Sequence, residues 1–185
     1  MENLVEVKNL KKNYGSKEAV KDISFTIKKD EILGLLGPNG SGKTTTIGML
    51  LGLLKPTNGE VLIDGKKIEE NRIEILKKIN FISPYIELPK KLTVKQNLIV
   101  YGKLYNVLNI NKRIEYLVEK LRLSELLNRV TGELSSGQKN RVSLAKALIN
   151  NPSVLFLDEP TASLDPEIGD FVRTFLENYK KEKKI

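Results

Sequence analysis

The sequence predicts an α/β domain that is interrupted by an inserted helical lobe. Three observations support this fold class: alternating apolar residues near the N-terminus, an apolar run that leads into a glycine-rich loop, and a long helical stretch before β structure returns. The length of 185 residues fits one domain. We expect residues 1–82 and 151–185 to form the core and residues 83–150 to form the lobe.

The N-terminal part of the chain has the pattern of β structure. Alternation with polar neighbours predicts two half-buried antiparallel strands, the first with Val5 and Val7 and the second with Ile23, Phe25 and Ile27. The run Ile32–Leu36 is apolar on both faces, which is typical of a central buried strand. A helix is expected over Thr45–Leu54, and a further strand over Glu60–Ile63.

The middle of the chain is predicted to be helical from about Pro84 to Asn150. Thr93 and Gln96 have the spacing of a capping box at a helix N-terminus. Apolar residues at helical spacing then predict three helices, with Leu98, Tyr101, Leu104 and Tyr105 in the first, Ile114, Leu117, Val118 and Leu121 in the second, and Leu126 and Leu127 in a short third. β structure is expected to return at Val154.

Composition limits the possible classes of protein. The chain has no cysteine, which excludes a disulfide framework and thiolate metal sites. No apolar run approaches the roughly 20 residues that span a bilayer. The net charge of +8 is compatible with attraction to anionic lipid or nucleic acid, or simply with a lysine-rich solvated surface. Aromatic residues are not interleaved with the basic ones, so the charge alone does not indicate nucleic-acid binding.

A complete phosphate-binding loop follows the run Ile32–Leu36 and predicts a P-loop NTPase core. The loop consists of Gly37, Pro38, Asn39, Gly40, Ser41, Gly42, Lys43 and Thr44. Its glycines allow successive backbone N–H groups to point inward, and Lys43 supplies a full positive charge to the β- and γ-phosphates. Thr44 offers a hydroxyl to Mg²⁺, and Thr45 is placed to reach the α-phosphate. The sequence therefore predicts binding of a nucleoside triphosphate.

Two adjacent acids follow the apolar run Val154–Leu157. We expect the neighbouring parallel strand to carry the phosphate-binding loop, which would bring Asp158 and Glu159 to the same sheet edge. Asp158 is the candidate ligand for Mg²⁺, and Glu159 is the candidate general base that activates water. The simpler alternative is a pair of solvated acids at a strand end.

The turn formed by Ser135, Ser136, Gly137 and Gln138 lies between the loop and the acids. Ser135 and Gln138 have the form of a capping box, so the turn is expected to begin a helix. With this turn, the loop and the acids in this order, the chain resembles the ATP-binding subunits of ABC transporters over nearly all of its length. The resemblance implies that the turn binds the γ-phosphate held by a second subunit, which is a task suited to a helix N-terminus.

The resemblance also implies cofactors, partners and a location. It implies binding of ATP with Mg²⁺, an ATP-dependent dimer of this chain or of a similar subunit, and a separate integral membrane permease. Ser163, Leu164 and Asp165 match the segment that crosses the dimer interface in the family. The expected location is the cytoplasmic face of the cell membrane, and no nucleic-acid partner is expected. Tyr14 matches the aromatic residue that stacks on adenine, although a tyrosine at a strand end also serves ordinary surface packing.

The sequence departs from the family pattern at three points. Ser136 replaces the usual glycine of the signature turn, and Ser83-Pro84-Tyr85 stands where the family has a glutamine that touches Mg²⁺ and water. The family also has a strand and a histidine after the last helix, whereas this sequence contains no histidine and stops at Ile185. The expectation is a C-terminally truncated piece of a longer subunit, one that binds ATP and hydrolyses it poorly.

The resulting expectation is an ATP-hydrolysing subunit that dimerises on ATP and powers transport by a membrane protein. The segment Leu88–Leu98 is similar to bacterial exporters of drugs, lipids or polysaccharides. Two alternatives remain open from the sequence: a soluble member of the same superfamily that acts on ribosomes or nucleic acid, and a nucleotide-binding module without useful catalysis.

Overall fold

The computed structural model describes residues 3–83, 87–158 and 165–183. Backbone contacts divide them into two compact units, one up to Leu76 and the other from Lys77 to Lys183. In chain order the elements are β1 (Asn3–Tyr14), β2 (Lys17–Lys28), α1 (Lys43–Leu50), β3 (Asn58–Ile63), β4 (Lys66–Lys67), α2 (Arg72–Lys78), β5 (Ile79–Ile82), α3 (Val94–Leu104), α4 (Ile110–Lys120), α5 (Ser136–Ala147), β6 (Val154–Leu157) and α6 (Pro166–Lys183). Two short 3₁₀ turns lie at Ser124–Leu126 and Thr131–Glu133.

The first unit is built on an antiparallel sheet with strand order β2-β1-β3-β4. β1 and β2 form a hairpin whose turn contains Gly15 at a φ of 59°. In the central strand, Val5 pairs with Ile27 on one side and with Ile63 on the other. The buried apolar side chains of this sheet are Val5, Val7, Leu10, Val20, Val61 and Ile63. The alternating sequence pattern therefore predicted these antiparallel strands correctly.

α1 ends earlier than the predicted helix Thr45–Leu54, and a glycine ends it. Gly52 adopts a left-handed φ of 65°, and its N–H donates to the carbonyl of Met49 at 3.0 Å. The next N–H, that of Leu53, donates to the carbonyl of Gly48 at 2.9 Å. This pair of bonds is a Schellman motif, which satisfies the last carbonyls of the helix and turns the chain away from it. The sequence prediction placed the end of the helix at Leu54, which is too late.

The run Ile32–Leu36 does not form the central buried strand that its composition predicted. None of its residues belongs to a strand, and the segment is exposed throughout. The exposed fractions reach 62% at Ile32 and 94% at Leu36. A strand that is apolar on both faces becomes buried only inside a sheet that has paired neighbours and is covered on both faces by other elements. No described strand pairs with this one, so the prediction of a buried strand is wrong for this structure.

The second unit contains a parallel strand pair surrounded by helices. β5 and β6 pair in register from Ile79 opposite Val154 to Ile82 opposite Leu157. Among the described residues, the parallel strand that pairs with β6 is β5, which does not carry the phosphate-binding loop as was expected. α5 packs against both β5 and α3. The fully buried apolar residues of this unit include Leu98, Leu117, Leu121, Leu123, Leu144 and Leu148.

α6 begins at a proline, as expected for the helix after Asp165. Proline suits the first position of a helix because its missing N–H would have no intrahelical partner there. The N–H of Gly169 donates to the carbonyl of Asp165 at 2.9 Å. Val172, Phe175 and Tyr179 of this helix are buried. Neither α6 nor any other helix in the described parts of the chain is long and apolar enough to cross a bilayer.

Candidate functional site

The phosphate-binding loop closes around its own lysine. The ammonium group of Lys43 donates to the carbonyl oxygens of Gly37 at 2.7 Å and Pro38 at 3.0 Å. The N–H of Ser41 donates to the carbonyl of Pro38 at 3.2 Å. The loop is thus a ring of backbone closed by the lysine at the start of α1. This arrangement places the ammonium at the centre of the loop, which is where a bound phosphate needs a positive charge.

Glycine is required at two positions of this loop for different reasons. Gly40 has a φ of 82°, and a side chain added there would meet no other atom within 4 Å. Gly42 has a φ of 93°, and an added Cβ would lie 2.4 Å from the carbonyl oxygen of Ala19 in β2. Gly42 also caps α1, because its carbonyl accepts the first helical bond, from Thr46, at 2.8 Å. The loop therefore rests directly on the hairpin backbone, and only glycine fits at that contact.

The remaining loop residues are open to solvent. Asn39 and Ser41 are exposed, as is Thr44 in the first turn of α1, while Thr45 is half-buried. The first turn of α1 contains no acidic residue. The N–H groups in the first turn of a helix can donate hydrogen bonds to an anion. The oxygen of the exposed Thr44 side chain can coordinate the cation that accompanies it.

Tyr14 lies at the end of β1, in the same unit as the loop. Its side chain is 50% exposed. The ammonium of Lys12 lies 5.2 Å from the centre of its ring and also donates to the carbonyl of Lys55 at 2.7 Å. Val20 of the neighbouring strand β2, which pairs with Lys12, is buried. One face of the tyrosine ring is thus occupied by a cation, and its exposed part remains accessible to a ligand.

Asp158 directly follows β6 in the second unit. Its N–H donates to the carbonyl of Ile82 at 2.9 Å, which extends the parallel pairing by one bond. The residue is only 7% exposed. Glu159 lies outside the described residues, as do Ser163 and Leu164. In the described parts of the chain, no three Asp, Glu, His or Cys side chains form a cluster that could hold a metal ion by themselves.

The signature turn forms the capping box that the sequence predicted. The hydroxyl oxygen of Ser135 accepts from the N–H of Gln138 at 3.3 Å, and the side-chain oxygen of Gln138 accepts from the N–H of Ser135 at 3.0 Å. Ser135 and Ser136 are exposed. An added Cβ at Gly137 would lie 3.5 Å from the side chain of Ile168, which is ordinary contact. The start of α5 therefore presents an exposed, capped helix N-terminus.

The segment after β5 is described only as far as Ser83. Pro84 and Tyr85, at the position of the family's glutamine, lie outside the described residues. The nearest glutamine along the chain, Gln96, acts as a helix cap, as predicted. Its side-chain oxygen accepts from the N–H of Thr93 at 2.9 Å, and the Thr93 hydroxyl accepts from the N–H of Gln96 at 3.2 Å.

The sequence analysis missed one buried charge, that of Lys146. Lys146 is 9% exposed and lies between buried Ala145 and Ala147 in α5. The signal was present, because a lysine among alanines and leucines on a buried helix is unusual. Periodicity did not reveal it, since a lysine in a helix is more often a solvated residue.

Comparison with known proteins agrees with the motifs. Residues 20–162 match the protein-family model described as ABC transporter. The chain is 37% identical to the bacitracin transport ATP-binding protein BcrA of Bacillus licheniformis, covering 100% of this chain and 60% of that protein. It is 41% identical to the Nod factor export ATP-binding protein I of Rhizobium johnstonii, over 88% of this chain and 53% of that protein. The chain thus spans somewhat more than half the length of these curated relatives.

Solved structures give the same family. The dimeric ATP-binding cassette MJ0796, in a post-hydrolysis state with ADP and Pi, matches with a TM-score of 0.86 and 30% identity over 97% of this chain and 84% of that one. The protein cbiO1 from Clostridium perfringens, part of the ABC transporter complex cbiONQ, matches with a TM-score of 0.86 and 32% identity over 100% and 76%. The ABC transporter ATP-binding protein NatA of Bacillus subtilis is 36% identical over 90% of this chain and 69% of its own length. The motifs, the family model and these relatives together show that the chain belongs to the ABC transporter family.

Proposed function

We propose that this chain binds and hydrolyses ATP, dimerises when ATP is bound, and powers transport by a separate membrane permease. The observation that carries the proposal is the loop that encloses the Lys43 ammonium and rests on β2 at Gly42. A bound phosphate would take the place of the carbonyl oxygens that now accept from this ammonium. The relatives' names, which include bacitracin transport and Nod factor export, support a role in export.

Each end of the nucleotide has candidate residues. Lys43 would hold the β- and γ-phosphates, with the backbone N–H groups of Gly40 and Gly42 around them. Thr45 would reach the α-phosphate, and the exposed part of the Tyr14 ring would stack on adenine. Stacking of this kind contributes about 1–3 kcal/mol per base. Pro38, Asn39 and Ser41 would shape the loop around the phosphates.

Thr44 and Asp158 are the proposed ligands of a magnesium ion. Thr44 offers an exposed hydroxyl and Asp158 a carboxylate, and hard oxygen donors of this kind are the ligands that Mg²⁺ prefers. A Mg²⁺ site needs only one or two protein carboxylates, because substrate phosphates and water complete the coordination. The absence of an acidic cluster among the described residues is therefore compatible with it. When bound, Mg²⁺ would neutralise charge on the phosphates.

Hydrolysis and dimerisation would involve the remaining motif residues. Glu159 would accept a proton from the attacking water, which is the task of a general base in this chemistry. Ser135, Ser136, Gly137 and Gln138 would contact the γ-phosphate held by the second subunit, since an exposed helix N-terminus favours anions. A peripheral position at the cytoplasmic face of the membrane follows from coupling to a permease.

Nucleotide titration tests the core of this proposal. Lys43→Ala should weaken binding of a fluorescent ATP analogue by roughly 100-fold or more, since a hydrogen bond to a charged group contributes about 1.5–3 kcal/mol and a full charge is also lost. Lys29→Ala is the matched control, because Lys29 is an exposed lysine in the turn after β2, and its affinity should stay within about twofold. Equal affinities for both variants would contradict the assignment of the loop.

A second measurement addresses the partner. The ATPase rate should rise in membranes that contain the cognate permease and should not respond to added RNA or DNA. Stimulation by nucleic acid, without an effect of the permease, would favour the soluble superfamily member that acts on ribosomes or nucleic acid.

A further inference from the structure

Lys146 is a buried cation with no ion-pair partner among the described residues. Only 9% of the residue is exposed. Within the described residues, no carboxylate lies at ion-pair distance from its ammonium. Burial lowers the pKa of Lys146, because removal from water disfavours the charged form. A buried charge of this kind is costly, so the contacts that surround it must compensate.

The compensation comes from two other elements of the same unit. The ammonium lies 5.2 Å from the ring centre of Phe81 in β5 and 5.3 Å from the ring centre of Tyr101 in α3. It also donates to the backbone carbonyl of Phe81 at 3.5 Å. Aromatic faces attract cations, and most strongly where water is excluded. One side chain of α5 thereby holds both β5 and α3.

The position of Lys146 along α5 gives this contact a mechanical consequence. α5 begins with the exposed signature turn at Ser135 and Ser136, and Lys146 lies about 15 Å further along the same helix at 1.5 Å per residue. Phe81 is the residue before the last one of β5, and the chain continues from there into residues 84–86. A rigid helix moves as one body, so a displacement of its first turn also moves Lys146.

We propose that Lys146 is a positioning residue that transmits a nucleotide-dependent displacement of α5 to the end of β5 and to α3. The inference rests on the proposed function, because contact of the signature turn with bound nucleotide produces the displacement. An apolar side chain would fill the same space without the directional contacts to a carbonyl and two ring faces. The charge of Lys146 therefore couples α5 to β5 and α3. Packing of an apolar side chain in the same space does not supply this coupling.

Hydrogen exchange with and without a non-hydrolysable ATP analogue tests the proposal on the wild type, Lys146→Met and Lys146→Arg. In all three proteins, the analogue should slow exchange in Gly37–Thr44 and Ser135–Val142 by about fivefold or more. In residues 79–83 and α3, the slowing should occur in the wild type and Lys146→Arg. In Lys146→Met it should fall below about twofold, because the methionine fills the space without the charge.

The possible outcomes are distinct. If the analogue fails to slow exchange at Gly37–Thr44 in the wild type, the proposed function is wrong. In Lys146→Met, the analogue could slow exchange in the loop and α5 and also slow it in residues 79–83 and α3 as strongly as in the wild type. That result would overturn only the coupling role. A purely structural role predicts a different result, in which Lys146→Met changes exchange at β5 and α3 equally with and without the analogue. Such a result also overturns the proposal.

A second pair of variants covers the case in which Lys146→Met does not fold. Tyr101→Phe keeps a ring face beside the ammonium, whereas Tyr101→Leu removes it. The phenylalanine variant should retain the response of residues 79–83 to the analogue, and the leucine variant should lose most of it. The same response in both variants would overturn the proposal without any change at Lys146.

Discussion

The contact between Gly42 and β2 gives the sharpest stability prediction. In Gly42→Ala, the new Cβ would lie 2.4 Å from the carbonyl oxygen of Ala19, about 1 Å closer than ordinary van der Waals contact. The φ of 93° is also a conformation that L side chains avoid, at a cost of roughly 1–2 kcal/mol. Relief of the overlap requires a backbone shift in the hairpin or in the loop, which typically costs about 1–3 kcal/mol. The free energy of unfolding should therefore fall by about 2–5 kcal/mol.

Gly40→Ala is the matched control for this variant. Gly40 lies in the same loop at a φ of 82°, and its added Cβ would meet no atom within 4 Å. The free energy of unfolding of this variant should fall only by the conformational cost of roughly 1–2 kcal/mol. The difference between the two variants isolates the contact with Ala19.

Urea unfolding followed by far-ultraviolet circular dichroism measures the difference, since the chain has no tryptophan. With a slope of about 1–3 kcal/mol per molar urea, Gly42→Ala should lower the midpoint by roughly 1–2 M. Gly40→Ala should lower it by less than about 1 M. Equal midpoints at equal slopes would refute the argument, because they would mean that the loop does not rest on β2 at this point.

Three further variants test the second unit. Ser135→Ala removes the acceptor of the Gln138 N–H, so the free energy of unfolding should fall by about 1 kcal/mol. The thermal midpoint should then fall by roughly 2–4 °C, and an unchanged midpoint would argue against the cap. Tyr179→Phe removes the hydroxyl that accepts from Arg113 at 2.7 Å. Calorimetry should show that the free energy of unfolding falls by about 1–3 kcal/mol. No loss would mean that water replaces the hydroxyl. Glu159→Gln should keep the ATP affinity and abolish turnover in a phosphate-release assay, and turnover at the wild-type rate would exclude this residue as the base.

Local signals in the sequence predicted the parts of the structure that depend on neighbouring residues. The capping boxes at Thr93 and Ser135 formed as expected, because both partners lie within one turn of helix. The alternating strands formed for a similar reason, since period-two burial needs only one covered face. The phosphate-binding loop also has the left-handed glycines that its motif requires, at Gly40 and Gly42.

Contacts between distant residues were not predictable in the same way. The helix α2 has only seven residues, and its single buried side chain, Ile75, gives no readable period. Lys146 depends on Phe81 and Tyr101, which lie 65 and 45 residues earlier in the chain, and no spacing rule connects them. The cation was visible in the sequence, but the two rings that hold it were not.

The run Ile32–Leu36 shows most clearly that contacts between distant segments cannot be predicted from local sequence. Its composition indicates that both faces should be buried. It does not identify the strands that pair with this segment or the elements that cover its faces. Parallel pairing is set by segments far apart in the chain, so an apolar run cannot specify its own neighbour. Full burial of a leucine or isoleucine contributes about 1.5–3 kcal/mol, and Ile32 and Leu36 forgo most of it here. The loop that follows nevertheless has its shape, because the Lys43 ammonium closes it on the carbonyl oxygens of Gly37 and Pro38. The bonds that close the nucleotide-binding loop on Lys43 therefore join neighbouring residues, whereas burial of the apolar run before the loop depends on segments that lie far away in the chain.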